Sequence, residues 1–110
     1  MKSFEGRSAL ITGASRGLGR ALAEILAERG ARVVMVARNK SDLESAAKTI
    51  RGEVHTIAAD VAEPGAAQRI AGQASALVGP IDLLINNAST LGPVPLRYAF
   101  DLDRLSLIHI

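Results

Sequence analysis

A doubly wound α/β sheet of parallel strands is the fold this sequence predicts, and two observations predict it. Four short apolar runs alternate with longer stretches in which apolar residues recur at helical spacing. Between the first run and the first helical stretch stands a glycine-rich turn, Thr12-Gly13-Ala14-Ser15-Arg16-Gly17-Leu18-Gly19, at a strand-to-helix junction.

The elements follow in order. Arg7 to Thr12 reads as the first strand, and Gly17 to about Arg29 as the first helix, with Leu18, Leu22, Ile25 and Leu26 at helical spacing and Gly30 as its left-handed terminator. Arg32 to Ala37 is the second strand. Ser41 and Glu44 have capping-box spacing ahead of an apolar stripe of Leu43, Ala46, Ala47 and Ile50, and Gly52 stops that helix. Val54 to Ala59 is the third strand. Pro64 suits a first helical turn, Ile70, Ala74, Leu77 and Val78 form the next stripe, and Gly79-Pro80 ends it. Ile81 to Ile85 is the fourth strand. Right-handed crossovers between such units put the strands in the order 3-2-1-4. Beyond Asn87 the pattern gives way to a Pro- and Gly-punctuated loop, Leu91 to Leu96, and Asp101 to Ile110 begins a helix-like stretch. The sheet is therefore expected to be truncated after its fourth strand.

Composition narrows the function classes. A chain of 110 residues is one domain or less. Its net charge is only +2, and its basic residues alternate with acids along the helices, so the balance carries no nucleic-acid footprint. There is no cysteine, hence no disulfide framework and no thiolate nucleophile or metal ligand. His55 and His109 have no second ligand at metal-binding spacing, so no metal site is expected. No apolar run reaches membrane-spanning length and no apolar signal region opens the chain, which makes the cytoplasm the expected compartment.

The glycine turn carries the chemistry. A helix beginning there directs unpaired N–H groups and its positive dipole end toward a bound anion, and glycine leaves no Cβ between backbone and a pyrophosphate. The glycines stand as Gly-x-x-x-Gly-x-Gly, and Arg20 follows where a nucleotide triphosphatase loop would carry Lys-Ser/Thr. This pattern resembles the short-chain dehydrogenase/reductase family, whose cofactor turn reads Thr-Gly-x-x-x-Gly-x-Gly. Two further marks of that family lie in order at strand ends, Asp60-Val61 and Asn86-Asn87-Ala88-Ser89. The resemblance runs from about Lys2 to Leu96 and implies a Rossmann-type fold with a nicotinamide dinucleotide cofactor. It implicates Gly13, Ser15, Arg16, Gly17, Leu18 and Gly19 at the pyrophosphate, Asp60 and Val61 at the adenine, and Asn87 and Ala88 at the cofactor. The family uses the Asn pair to brace neighbouring strands, and usually has glycine where this chain has Ser89.

Cofactor choice is written about 20 residues past the glycine turn, at the end of the second strand, where an acid would grip a ribose 2′-hydroxyl. Here stand Ala37 and Arg38. A guanidinium pairs with a 2′-phosphate through charge-assisted bonds, and Arg16 can close on the same group, so NADP is expected over NAD. The alternative for both arginines is surface pairing with Glu or water.

Tyr98 is the only tyrosine, Lys48 is the last lysine, and position 102 is leucine, so the family's catalytic Tyr-x-x-x-Lys pair does not occur in these 110 residues. The expectation is an NADP-dependent oxidoreductase represented by residues 1–104, its cofactor-binding part, acting as a homo-oligomer on a small carbonyl or alcohol, without nucleic-acid or membrane partners. Residues 105–110 are expected to be a non-native tail resembling translated adapter sequence. A non-catalytic dinucleotide-binding sensor or regulatory module is the competing reading.

Overall fold

The computed structural model of the chain describes residues 4–87 and 105–109. Strands β1 (Ser8–Thr12), β2 (Arg32–Ala37), β3 (Val54–Ala58), β4 (Leu83–Asn86) and β5 (Ser106–His109) form one sheet in the order β3-β2-β1-β4-β5, and the pairs are all parallel. Helices α1 (Gly17–Glu28), α2 (Lys40–Lys48) and α3 (Ala66–Val78) connect the first four strands. The predicted parallel α/β architecture and the order 3-2-1-4 are therefore present.

Side chains alternate across the strands and feed two cores, one on each face. Ala9, Ile11, Val33, Met35 and Ile85 pack with Ala23 and Leu26 of α1 and Leu43 and Ala46 of α2. Leu10, Val34, Val36, Ile57 and Leu84 pack with Ala67, Ile70 and Ala74 of α3 on the opposite face. The connecting helix thus changes side between β1 and β4, and that seam is the place where such sheets open a crevice at their carboxyl edge.

The central strand begins and ends on a fully buried hydroxyl residue. The Ser8 hydroxyl donates to the Val78 carbonyl at 3.1 Å, and the Ser8 N–H donates to the Asp82 carboxylate at 2.9 Å. At the other end the Thr12 hydroxyl donates to Asn86 Oδ1 at 3.0 Å and accepts the Asn87 N–H at 3.0 Å. Oriented bonds therefore tie β1 to the β4 segment at both ends.

Two expectations are corrected. The sheet does not stop at the fourth strand: Ser106–His109 pairs with β4 where a helix-like stretch was expected. An uncovered β4 edge offers a row of unpaired N–H and C=O groups, and a short apolar segment satisfies them by pairing. Second, Asn39, not Ser41, caps α2, its side chain accepting the Asp42 N–H at 3.0 Å. The helix starts two residues earlier than the capping-box spacing suggested, while Leu43 and Ala46 face the core as expected. Leu18, Ile25 and Leu77, on the apolar stripes, are exposed, because small residues, Gly19, Ala23, Ala27 and Ala74, occupy the positions nearest the sheet. The expected loop 91–96 lies outside the described residues.

Candidate cofactor site

The glycine turn is held from two sides. Ala14 N–H donates to the Val36 carbonyl at 3.2 Å, anchoring the turn to β2, and Asn87 Nδ2 donates to the Gly13 carbonyl at 3.3 Å, anchoring it to the end of β4. Gly13 (φ 63°) and Gly17 (φ 55°) occupy the left-handed region, which L side chains enter only with strain. Gly19 is required for a different reason. A Cβ there would fall against the Gly13 carbonyl oxygen and 2.6 Å from Asn87 Nδ2.

This packing leaves a cavity of about 390 Å³ at the carboxyl edge of the sheet. Seven of the expected residues line it together: Gly13, Ser15, Arg16, Arg38, Asp60, Val61 and Asn87. Gly17 and Leu18 open α1 beside it, Leu18 half exposed, and Gly19 supports its floor through the Gly13 and Asn87 contacts. Ala88 lies outside the described residues. No side chain caps the first turn of α1, so its N–H groups are left for a ligand or solvent.

The polar groups differ in their engagements. Asp60 accepts the Ala62 N–H through Oδ1 at 2.9 Å, a turn that fixes its carboxylate at the mouth of the cavity. The Arg38 guanidinium has no hydrogen-bond or ion-pair partner among the described residues and lies exposed on the cavity rim. Arg16 instead reaches Asp42, Nη2 to Oδ2 at 2.9 Å. Asp42 and Asn39 were missed in the sequence. Their signal was present in the three-residue spacing of a cap and its partner, but was read two residues too late, at Ser41 and Glu44.

The predicted brace is present in the Asn86, Thr12, Asn87 and Gly13 bonds, which join β4 to the turn. Such a site fits a dinucleotide: a helix start and glycine backbone for a pyrophosphate, a carboxylate fixed by a turn, and an unengaged guanidinium. The described residues contain no group of three His, Cys, Asp or Glu side chains placed to hold a metal ion. His55 pairs instead with Glu53, Nε2 to Oε2 at 3.0 Å, on the outer strand.

Comparison with known proteins gives this geometry its lineage. The family model for short chain dehydrogenases matches residues 7–108. The chain belongs to the short-chain dehydrogenase/reductase family. It is 44% identical over 84 residues to L-xylulose reductase of Bos taurus, covering 76% of this chain and 32% of that protein. It is 37% identical over 86 residues to the 3-oxoacyl-[acyl-carrier-protein] reductase FabG of Escherichia coli, covering 78% and 35%. Among solved structures, the Pseudomonas aeruginosa RhlG/NADP active-site complex superposes with a TM-score of 0.75 at 38% identity, covering 81% of this chain and 37% of that one. A 3-ketoacyl-(acyl-carrier-protein) reductase from Brucella melitensis complexed with NADH superposes with a TM-score of 0.74 at 38% identity, covering 78% and 36%. The chain thus spans about a third of the length of these short-chain relatives. Relatives bound to NADP and to NADH support a nicotinamide dinucleotide as the cofactor class and leave the choice between the two to the residues of this chain.

Proposed function

We propose that this chain is the cofactor-binding part of an NADP-dependent short-chain oxidoreductase. The observation that carries the reading is Arg38: it stands at the end of β2, on the cavity rim, unengaged by any described residue, where an NAD enzyme would place an acid. A 2′-phosphate there gains charge-assisted hydrogen bonds from the guanidinium, and a bare 2′-hydroxyl does not. Gly13, Ser15, Arg16 and the α1 start, Gly17 to Gly19, hold the pyrophosphate, Asp60 and Val61 take the adenine, and Asn87 with Ala88 approaches the nicotinamide half. When bound, the cofactor supplies or accepts the hydride. This chain's residues bind and orient it.

Proton transfer to the reacting oxygen requires a positioned acid, which the family takes from its Tyr-x-x-x-Lys pair. These 110 residues contain no such pair, so we assign them binding rather than chemistry. The reaction of the whole protein is oxidation or reduction of a small alcohol or carbonyl, the class to which the reductases among its relatives belong. No helix among the described residues is long and apolar enough to cross a membrane. We read the whole protein as a cytoplasmic homo-oligomer.

The test is the ratio of NADP to NAD dissociation constants, measured at fixed salt in protein expressed from the full reading frame. NADP binds more tightly, and Arg38→Asp lowers the preference at least about tenfold, since one charge-assisted bond is worth roughly 1.5–3 kcal/mol and about 1.4 kcal/mol is a factor of ten. Equal affinities before substitution, or an unchanged ratio after it, would reject the assignment.

A further inference from the structure

Resting on the reading of this cavity as a 2′-phosphate site, we propose that Asp42 is a specificity-determining residue that weakens binding of the phosphorylated cofactor. Its carboxylate already occupies Arg16, at 2.9 Å, across the adenosine end of the cavity. The two residues are 26 positions apart, so the pair bridges the glycine turn and the first turn of α2.

The placement of Asp42 is fixed locally. The Asn39 side chain holds the Asp42 N–H, and the helix start favours a negative charge in that first turn. A protein anion therefore stands where two guanidinium groups would otherwise face a ligand anion. Among the described residues, the charged side chains lining the cavity are Arg16, Arg38, Asp42 and Asp60, so their formal charges cancel. A 2′-phosphate must share or displace Arg16 and meets the Asp42 carboxylate at short range. A ribose 2′-hydroxyl is neutral and meets neither obstacle. Asp42 thus narrows the gap between NADP and NAD, leaving Arg38 as the one uncontested cation.

The pair is exposed, with side-chain accessibilities of 82% for Arg16 and 41% for Asp42, so the effect is moderate and salt-dependent. Titration calorimetry on protein from the full reading frame, with adenosine 2′,5′-bisphosphate and adenosine 5′-monophosphate as probes, separates the contribution of the 2′-phosphate. In Asp42→Asn the bisphosphate binds about three- to tenfold more tightly at low ionic strength, the monophosphate changes less than about twofold, and the gain shrinks toward about 0.15 M salt. Asp42→Glu, which keeps the charge, stays near the unsubstituted protein. Unchanged bisphosphate affinity in Asp42→Asn overturns the proposal, and weaker affinity overturns it by showing that Asp42 aims Arg16 at the phosphate. The two readings fail separately. If Arg38→Asp abolishes discrimination between the probes while Asp42→Asn alters nothing, only the role of Asp42 falls. If the unsubstituted protein does not discriminate but Asp42→Asn does, both the cavity reading and the masking role of Asp42 stand; if neither discriminates, both fall.

Discussion

Replacing Gly19 by alanine places one methyl group in the tightest part of the site. The new Cβ lies against the Gly13 carbonyl and 2.6 Å from Asn87 Nδ2, between two groups now joined by a 3.3 Å hydrogen bond. Gly13 cannot retreat, because its neighbours Thr12 and Ala14 are bonded to the β4 end and to β2. Losing the hydrogen bond costs about 1 kcal/mol and overpacking about 1–3 kcal/mol, while the better helix propensity of alanine returns about 1 kcal/mol. The net is a destabilisation of about 1–3 kcal/mol on those figures. Gly72, in α3, is the control: a Cβ there meets nothing within 4 Å, so Gly72→Ala leaves only the propensity gain and stabilises by about 0.5–1 kcal/mol. Urea unfolding of both variants, in protein from the full reading frame, reads the opposite signs as opposite shifts of the midpoint at constant slope. A Gly19→Ala midpoint at or above that of Gly72→Ala would refute the packing argument.

Three more outcomes follow from the same geometry. Asn39→Ala removes the α2 cap and lowers stability by about 1 kcal/mol, checked by the unfolding midpoint, and Asn39→Ser restores most of it. Gly13→Val puts a branched side chain at φ 63° in the wall of the cavity that we propose takes the pyrophosphate, so NADP and NAD are expected to weaken at least about tenfold with their ratio unchanged; a changed ratio would show that the turn also reads the ribose. The 110-residue chain transfers no hydride to any carbonyl in an NADPH absorbance assay, and turnover abolished by Tyr98→Phe would force a new catalytic assignment.

What was legible followed from periodicity and from residues with one structural use. The bounds of β2, Arg32–Ala37, came out as predicted because a run of Val-Val-Met-Val between Gly30 and Asn39 has no competing reading. The glycine turn, Asp60 and Asn87 were placed at one edge because each follows a strand end, and the fold gathers strand ends. The α2 cap was misplaced because Asn39 and Ser41 both bond helix N–H groups well, and only the path of the chain leaving β2 chooses between them. Leu18, Ile25 and Leu77 lie on the predicted apolar stripes yet stay exposed, because apolar spacing reports a helix face but not which part of it touches the sheet. The Arg16–Asp42 pair joins the glycine turn to the first turn of α2, and nothing local in the sequence announces it.

The hydroxyls at the two ends of β1 have a consequence for the order in which the molecule is assembled. The bonds that Ser8 and Thr12 make to Val78, Asp82 and Asn86 close loops of 70 to 74 residues, whereas β1 and β2 pair across a single helix. Loop-closure entropy favours the shorter contacts first, so β1, β2 and their helix come together before β4 arrives. A slip of β4 by one residue breaks both tethers and turns its side chains to the wrong faces, so late arrival does not mean loose arrival. The floor under the glycine turn is then among the last parts built. Pulse-labelled hydrogen exchange, with protection at the Asn87 N–H appearing after protection along β2, is the measurement that reads this sequence of events.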